Sequence, residues 1–208
     1  AASKVAFNML IWYNRDISHG EEVINMLEDF KELRVNLEKK IKNCSSVFIV
    51  GHNGPDFDSF GAAIGLSAIA RNFYKRAYII IDDEPTKIEP GVKKIIDAEK
   101  ENYRFITRSE FQQLADHNSL MIVVDSNKED MISVGEDLDK VSDVFVIDHH
   151  TGNDKTIKTP YLYVDMDTSS TCELVFKLIS AYRTKIKKSE ANYILAGISL
   201  DTKRFKKN

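Results

Sequence analysis

The stretch LMIVVD, residues 120–125, is an unbroken apolar run closed by an aspartate, and DVFVID repeats that form at residues 143–148. A run apolar at every position, too short for a helix, predicts a strand covered on both faces. SVFIV (46–50), AYIII (77–81), YRFI (103–106) and YLYV (161–164) are further strand-like runs. Helical spacing fills the gaps between them. From Glu21 to about Asn43, Val23, Met26, Leu27, Phe30, Leu33, Leu37 and Ile41 recur every three or four residues. DSFGAAIGLSAIARNFYK places Ala62, Leu66, Ile69 and Phe73 on one side, and PGVKKIIDAE starts a helix at Pro90. SEFQQLAD is a further short helix. SSTCELVFKLISAY opens with Ser170 and Glu173 at capping-box spacing and has an apolar face of Cys172, Val175, Phe176 and Ile179. SEANYILAGISLD reads as a last helix started by Ser189. This alternation predicts an α/β fold, a parallel sheet with helices on both faces. Such sheets bind ligands at the carboxyl ends of their strands.

The 208 residues suit one domain, or one domain with an appendage. Lys and Arg number 29 against 32 Asp and Glu, a net charge of −3, so no global basic field argues for duplex DNA or an anionic membrane as partner. No apolar run approaches the roughly 18 residues of a membrane span. The two cysteines, Cys44 and Cys172, form neither a C-x-x-C pair nor a disulfide framework, which fits a reduced, cytoplasmic setting.

Three of the strand runs end in acid or histidine. SVFIV leads into GHNGPDFD, with His52, Asp56 and Asp58; LMIVVD ends at Asp125; DVFVID ends in Asp148, His149 and His150. In parallel strands these groups converge on one edge, and Asp201, following the last helix in GISLDTKRF, is within reach of it. Carboxylates within about 4–6 Å cannot all stay ionised without cations, because like charge raises their pKa. Aspartate with imidazole is a mixed O/N set suited to Mn²⁺ or Mg²⁺, with Zn²⁺ or Fe²⁺ as further candidates. One aspartate could bridge two ions. Two ions about 3.5–4 Å apart would serve both attacking and leaving oxygens at phosphorus.

Taken singly, each residue has a plainer use. An Asp at a strand end is most often a turn former or helix cap, which fits Asp56, and Asp58 could be an N-cap. Only the combined set, H-x-x-x-D-x-D with strand-terminal D and D-H-H, points to metal. Asp82, Asp83 and Glu84 suit a solvated loop, and Asp165 and Asp167 a turn. Gly61 and Gly65 lack a following G-K-[ST], so they are expected to let their helix pack closely on the sheet. Lys203, Arg204, Lys206 and Lys207 read as a solvated basic tail.

These motifs resemble those of the DHH phosphoesterase superfamily. GHNGPDFDSFGAAIGL is similar to its first motif, VVDSNK to its second, VIDHH to its third and AGISLDTKRF to its fourth. ENYRFITRSEFQQL and DTSSTCELVFKLI resemble the GdpP-type cyclic-di-AMP phosphodiesterases over roughly residues 30–208. The resemblance implies that His52, Asp56, Asp58, Asp125, His149 and Asp201 ligate two Mn²⁺ ions, with Asp125 bridging; Mg²⁺ or another divalent ion is an alternative. It implies that Asp148 orients its neighbours and that His150 faces the scissile phosphate, so that Asp125, His149 and His150 carry the catalysis. Ser169 and Ser170 are candidate substrate contacts, with capping as the competing use. Two positions depart from the family pattern: Asn127 stands where the branch commonly has His, and Thr151 where Arg often follows the third motif.

The same resemblance divides the chain into an extension at 1–30 and a DHH catalytic domain at 31–208, with the family's substrate-gripping C-terminal domain missing. It implies hydrolysis of a cyclic dinucleotide, cyclic di-AMP to pApA, by two-metal in-line attack, slowly in the isolated domain. Full-length relatives are membrane-anchored with this domain in the cytoplasm; this segment itself is expected to make no membrane contact, and a homodimer is allowed. An oligoribonuclease acting on short oligonucleotides, a pyrophosphatase of the same superfamily, and a non-catalytic nucleotide sensor are the rival readings.

Overall fold

The computed structural model describes residues 20–81 and 88–201, with side chains from Leu27 onward. Expectations for residues 1–19, for Asp82, Asp83 and Glu84, and for the basic tail after Asp201 lie outside the described residues. The elements in chain order are α1 (Gly20–Asn43), β1 (Val47–Val50), α2 (Phe57–Asn72), β2 (Ala77–Ile80), α3 (Pro90–Glu99), β3 (Phe105–Ile106), α4 (Arg108–Leu114), β4 (Leu120–Val124), β5 (Asp143–Asp148), β6 (Tyr161–Val164), α5 (Thr171–Ala181) and α6 (Lys188–Asp201). Two 3-10 turns, Glu129–Met131 and Gly135–Lys140, separate β4 from β5.

The six strands are parallel and lie in the order β3-β2-β1-β4-β5-β6. This is a doubly wound sheet, the chain moving outward from β1 in one direction and then from β4 in the other. The crevice where the order reverses opens at the carboxyl ends of β1 and β4, the usual ligand position in such sheets.

The continuous apolar runs are explained by two cores. Val47 and Ile49 of β1 and Leu120, Ile122 and Val124 of β4 face one core, filled by α1, α2, α5 and α6. Phe48, Val50, Met121 and Val123 face the other, where Phe111 of α4, Ile132, Val134 and Val141 cover the sheet. The second face is therefore covered mainly by one short helix and 3-10 turns, a thinner layer than the helix-on-both-faces expectation suggests.

Four expectations need correction. The apolar stripe of α1 holds for Leu33, Leu37 and Ile41, which are buried, but Leu27 is exposed. Helix α2 is buried all round rather than along one stripe, because α5 and α6 enclose the side away from the sheet. Gly61 accordingly serves helix packing, not sheet packing: a Cβ there would stand 2.7 Å from both Cys172 Sγ of α5 and the Tyr193 carbonyl of α6. Lastly, α6 begins at Lys188 rather than Ser189, with the Glu190 carboxylate accepting the Lys187 N–H at 2.6 Å, and it still includes Asp201. Among the described residues, no helix is long and apolar enough to cross a membrane.

Candidate metal centre

His52 follows β1 at the crevice. Its Nδ1 stands 3.0 Å from the Asn53 carbonyl. That acceptor fixes the proton on Nδ1 and leaves the Nε2 lone pair free to bind a cation. Asp56 caps α2: its Oδ1 accepts the Asp58 and Ser59 N–H groups at 2.9 and 3.0 Å. The capping use thus belongs to Asp56, not Asp58. Capping does not remove it from the site, since Oδ1 is also 3.6 Å from His52 Nε2.

Asp58 is almost fully buried, and its carboxylate accepts the Thr171 and Cys172 N–H groups at 2.7 and 2.8 Å. Those donors are the first turn of α5, whose unpaired N–H groups and dipole favour negative charge. The start of α5 is thus tied to the start of α2 by a metal-type carboxylate.

Asp125 is the first residue past β4. Its backbone is left-handed, φ 57°, and its N–H donates to the Ile147 carbonyl at 3.1 Å. A non-glycine residue in that region marks a locally costly conformation that the surrounding fold imposes. The result is a buried carboxylate aimed back over the strand ends. Its Oδ2 lies 3.6 Å from His52 Nε2, and its Oδ1 lies 3.4 Å from His149 Nε2. Thr171 Oγ1 donates to the same Oδ1 at 3.0 Å.

His149 Nε2 is buried without a hydrogen-bond partner. Three carboxylates surround it: Asp125 at 3.4 Å, Asp201 at 3.6 Å and Asp58 at 3.8 Å. These separations are too long for good hydrogen bonds, and donor atoms of Asp58, His149 and Asp201 lie within 4.8 Å of one another, as do those of His52, Asp56 and Asp125. An orphaned imidazole nitrogen ringed by oxygens is the surround a divalent cation fills, and oxygen–nitrogen donors suit Mn²⁺, Mg²⁺ or a similar ion. The residues present therefore fit a divalent metal.

The electrostatics agree. Burial, then the charge of Asp125, pushes Asp58 up to about 8. Burial opposes charging of His52, but the nearby Asp56 carboxylate, the hydrogen bond to the Asn53 carbonyl and the charge of Asp125 outweigh it and hold the ring near 9. Burial likewise opposes charge on His149, and the Asp125 and Asp58 carboxylates reverse that, raising it to about 9. Burial and the charges of Asp125 and Asp56 raise Asp201. Without a cation the cluster gathers protons, the behaviour of an anionic hole that lacks its counter-charge.

His150 is more exposed, with its side chain 55% accessible, and its Nδ1 sits 2.8 Å from Asp148 Oδ1. That oxygen also accepts the His149 N–H at 2.8 Å. Asp148, fully buried, thus sets both histidines. The structure places Ser170 fully buried, its hydroxyl accepting the Glu173 N–H, and Ser169 donating to Glu173. Both serine hydroxyls are engaged in the start of α5, which leaves Ser170 in particular unsuited to the substrate contact expected for it. The residue of that triplet that does touch the centre is Thr171, whose hydroxyl donates to Asp125; its signal in the sequence is its place in the SST that opens the helix. Asn127 is buried, and its side-chain amide donates to the His150 carbonyl at 2.8 Å, fixing the D-H-H turn.

The centre forms the floor of an open cavity of about 340 Å³, bounded by the carboxyl ends of β1, β4 and β5 and by the segment from Ser126 to Met131.

Comparison with known proteins agrees with this geometry. The family model described as the DHH family, N-terminal domain, matches residues 46–198. The chain is 37% identical over 177 residues to the cyclic-di-AMP phosphodiesterase GdpP of Bacillus subtilis, covering 81% of this chain and 26% of that protein. It is 26% identical over 175 residues to a probable manganese-dependent inorganic pyrophosphatase of Archaeoglobus fulgidus, covering 77% of this chain and 50% of that protein. Among solved structures, an exopolyphosphatase-related protein from Bacteroides fragilis superposes with a TM-score of 0.64 at 26% identity, over 85% of this chain and 52% of that one.

Proposed function

The chain belongs to the DHH family, and from that premise we propose that it is the metal-binding catalytic segment of a phosphodiesterase that opens cyclic di-AMP to pApA. The observation that carries this reading is the two-sided exposure of Asp125: one carboxylate oxygen lies 3.6 Å from His52, which groups with Asp56, and the other lies 3.4 Å from His149, which groups with Asp58 and Asp201. Two Mn²⁺ ions would be held by Asp125 together with His52, Asp56, Asp58, His149 and Asp201.

When bound, such ions supply an activated water and neutralise charge developing on the phosphoryl oxygens. The chain's own groups do the positioning. Thr171 holds Asp125 by one oxygen, and the N–H groups at the start of α5 hold Asp58. His150, anchored through Nδ1 to Asp148, has Nε2 left to donate a proton to the leaving oxygen. The chain spans 26% of the length of the Bacillus relative, so substrate capture by other parts of a longer protein belongs to this reading.

The test is hydrolysis with Mn²⁺ on a panel of cyclic di-AMP, cyclic di-GMP, pApA and pyrophosphate. Expected is slow release of pApA from cyclic di-AMP, reduced to background by Asp125→Ala. Phosphate release from pyrophosphate instead would move the chain toward the Archaeoglobus relative. Metal binding with no turnover of any of the four would favour a sensor.

A further inference from the structure

The cavity over the metal centre poses an electrostatic problem for a phosphate ester. Its floor carries Asp56, Asp125 and Asp201, with Asp58 and Asp148 buried beneath. On the two-ion reading, the four ligand carboxylates balance two divalent ions, and the loaded centre has no surplus charge with which to draw in an anion. Among the described residues, Lys128 is the one lysine or arginine that lines this cavity.

The backbone around Lys128 is built as a fixed wall. The Ile157 N–H donates to the Asn127 carbonyl at 2.8 Å, and the Glu129 N–H donates to the Lys155 carbonyl at 3.3 Å. Lys128 itself forms an isolated antiparallel bridge with Thr156. On the other side, the Asn53 N–H donates to the Met131 carbonyl at 2.6 Å, which ties the segment to the loop carrying His52. Lys155, not Lys128, pairs with the Asp130 carboxylate of this wall. Lys128 is half-buried, and its ammonium enters no hydrogen bond or ion pair described for these residues, although its charge is felt at Asp130. Holding a lysine at a cavity rim by stitching its backbone to two loops, with no fixed partner for its charge, prepares it for a ligand.

We propose that Lys128 is the anion-holding residue of this cavity, taking a non-bridging phosphoryl oxygen of the ligand while Asp125 and its partners hold the metals. This rests on the phosphoesterase reading above. The ligand chemistry it specifies is a phosphoryl anion, which a cyclic dinucleotide, pyrophosphate and free phosphate share.

The test is equilibrium binding of three probes, cyclic di-AMP, pyrophosphate and inorganic phosphate, to the Mn²⁺-loaded chain at two salt concentrations. Mn²⁺ affinity is measured separately by calorimetry. Lys128→Ala is expected to weaken the anion that wild type binds best by about tenfold, the effect of one charge-assisted hydrogen bond, and to flatten its salt dependence. Mn²⁺ affinity and melting temperature should stay within error. Lys128→Arg should restore most of the binding, and Lys94→Ala, an exposed charge on α3, should not change it. Preference for pyrophosphate or phosphate over cyclic di-AMP would sink the substrate assigned above while leaving Lys128 to be judged on the preferred anion. Equal affinity of wild type and Lys128→Ala for every probe would overturn the proposal, as would absence of binding of all three to wild type.

Discussion

At Asp125 the backbone turns through φ 57° one residue past β4, and it buries a carboxylate whose charge is felt at Asp58 and Asp201. The left-handed conformation is costly for most residues with a Cβ, and in the metal-free chain the carboxylate repels Asp58 and Asp201 while attracting the charged ring of His149. Asn tolerates the same conformation and can still accept the Thr171 hydroxyl. Asp125→Asn should therefore fold and should abolish the rise in melting temperature that Mn²⁺ produces in wild type. Thermal denaturation with and without Mn²⁺ reads this, and a variant that Mn²⁺ stabilises as much as wild type would show that Asp125 does not hold the metal. Asp56 makes a complementary point. Capping a helix does not compete with binding a metal there, because one carboxylate has enough lone pairs for both.

The elements matter here as carriers of ligands. Helix α2 brings Asp56 and Asp58, α6 brings Asp201, and the start of α5 holds Asp58 and Asp125 in place. Their approach is as close as it is because glycine stands at the contacts. A Cβ on Gly197 would come within 2.5 Å of Cys172 Sγ, 2.9 Å of the Phe57 carbonyl oxygen and 3.0 Å of Asp58 Cα. Two of those three atoms are backbone and cannot swing away, so α6 would have to move off α2. Gly197→Ala is expected to cost about 1–3 kcal/mol, the usual range for overpacking. It should weaken Mn²⁺ binding as well, because the shift separates Asp201 from Asp58. Chemical denaturation and metal titration check the two parts; a stable variant with wild-type metal affinity would show that the helices give more readily than this packing implies.

On the scale of the whole molecule, a second charge cluster, on the same two helices that carry Asp58 and Asp201, joins α2 to α6. Glu190 is fully buried and accepts two hydrogen bonds from Arg71, at 2.7 and 3.0 Å, one from Tyr103 and one from the Lys187 N–H. Burial alone would raise its pKa, but these donors, Arg71 first, outweigh it and hold the folded value below the usual 4.5. A depressed carboxylate stabilises the fold fully above its unfolded pKa, and that contribution disappears as pH falls through the folded one. Wild type should thus lose stability below about pH 4.5. Glu190→Gln should be less stable at pH 7 by about 1–2 kcal/mol, a value tempered by the partial exposure of Arg71, and should lose less on acidification. Urea denaturation between pH 7 and 3.5 checks it; parallel pH profiles for the two proteins would refute the linkage. Much of this molecule was legible in its sequence. Apolar runs must be buried on both faces, so LMIVVD and DVFVID determined a parallel α/β sheet, and histidines and aspartates at the ends of such runs determined which groups meet at its edge. Local pattern ends there. That Thr171 rather than Ser170 touches the centre, that Gly61 lets helices rather than helix and sheet pack closely, that Asp58 accepts the first N–H groups of a helix more than a hundred residues away and that Lys128 lines the cavity were decided by tertiary structure, because each depends on where distant segments are packed together, and no spacing along the chain encodes that distance.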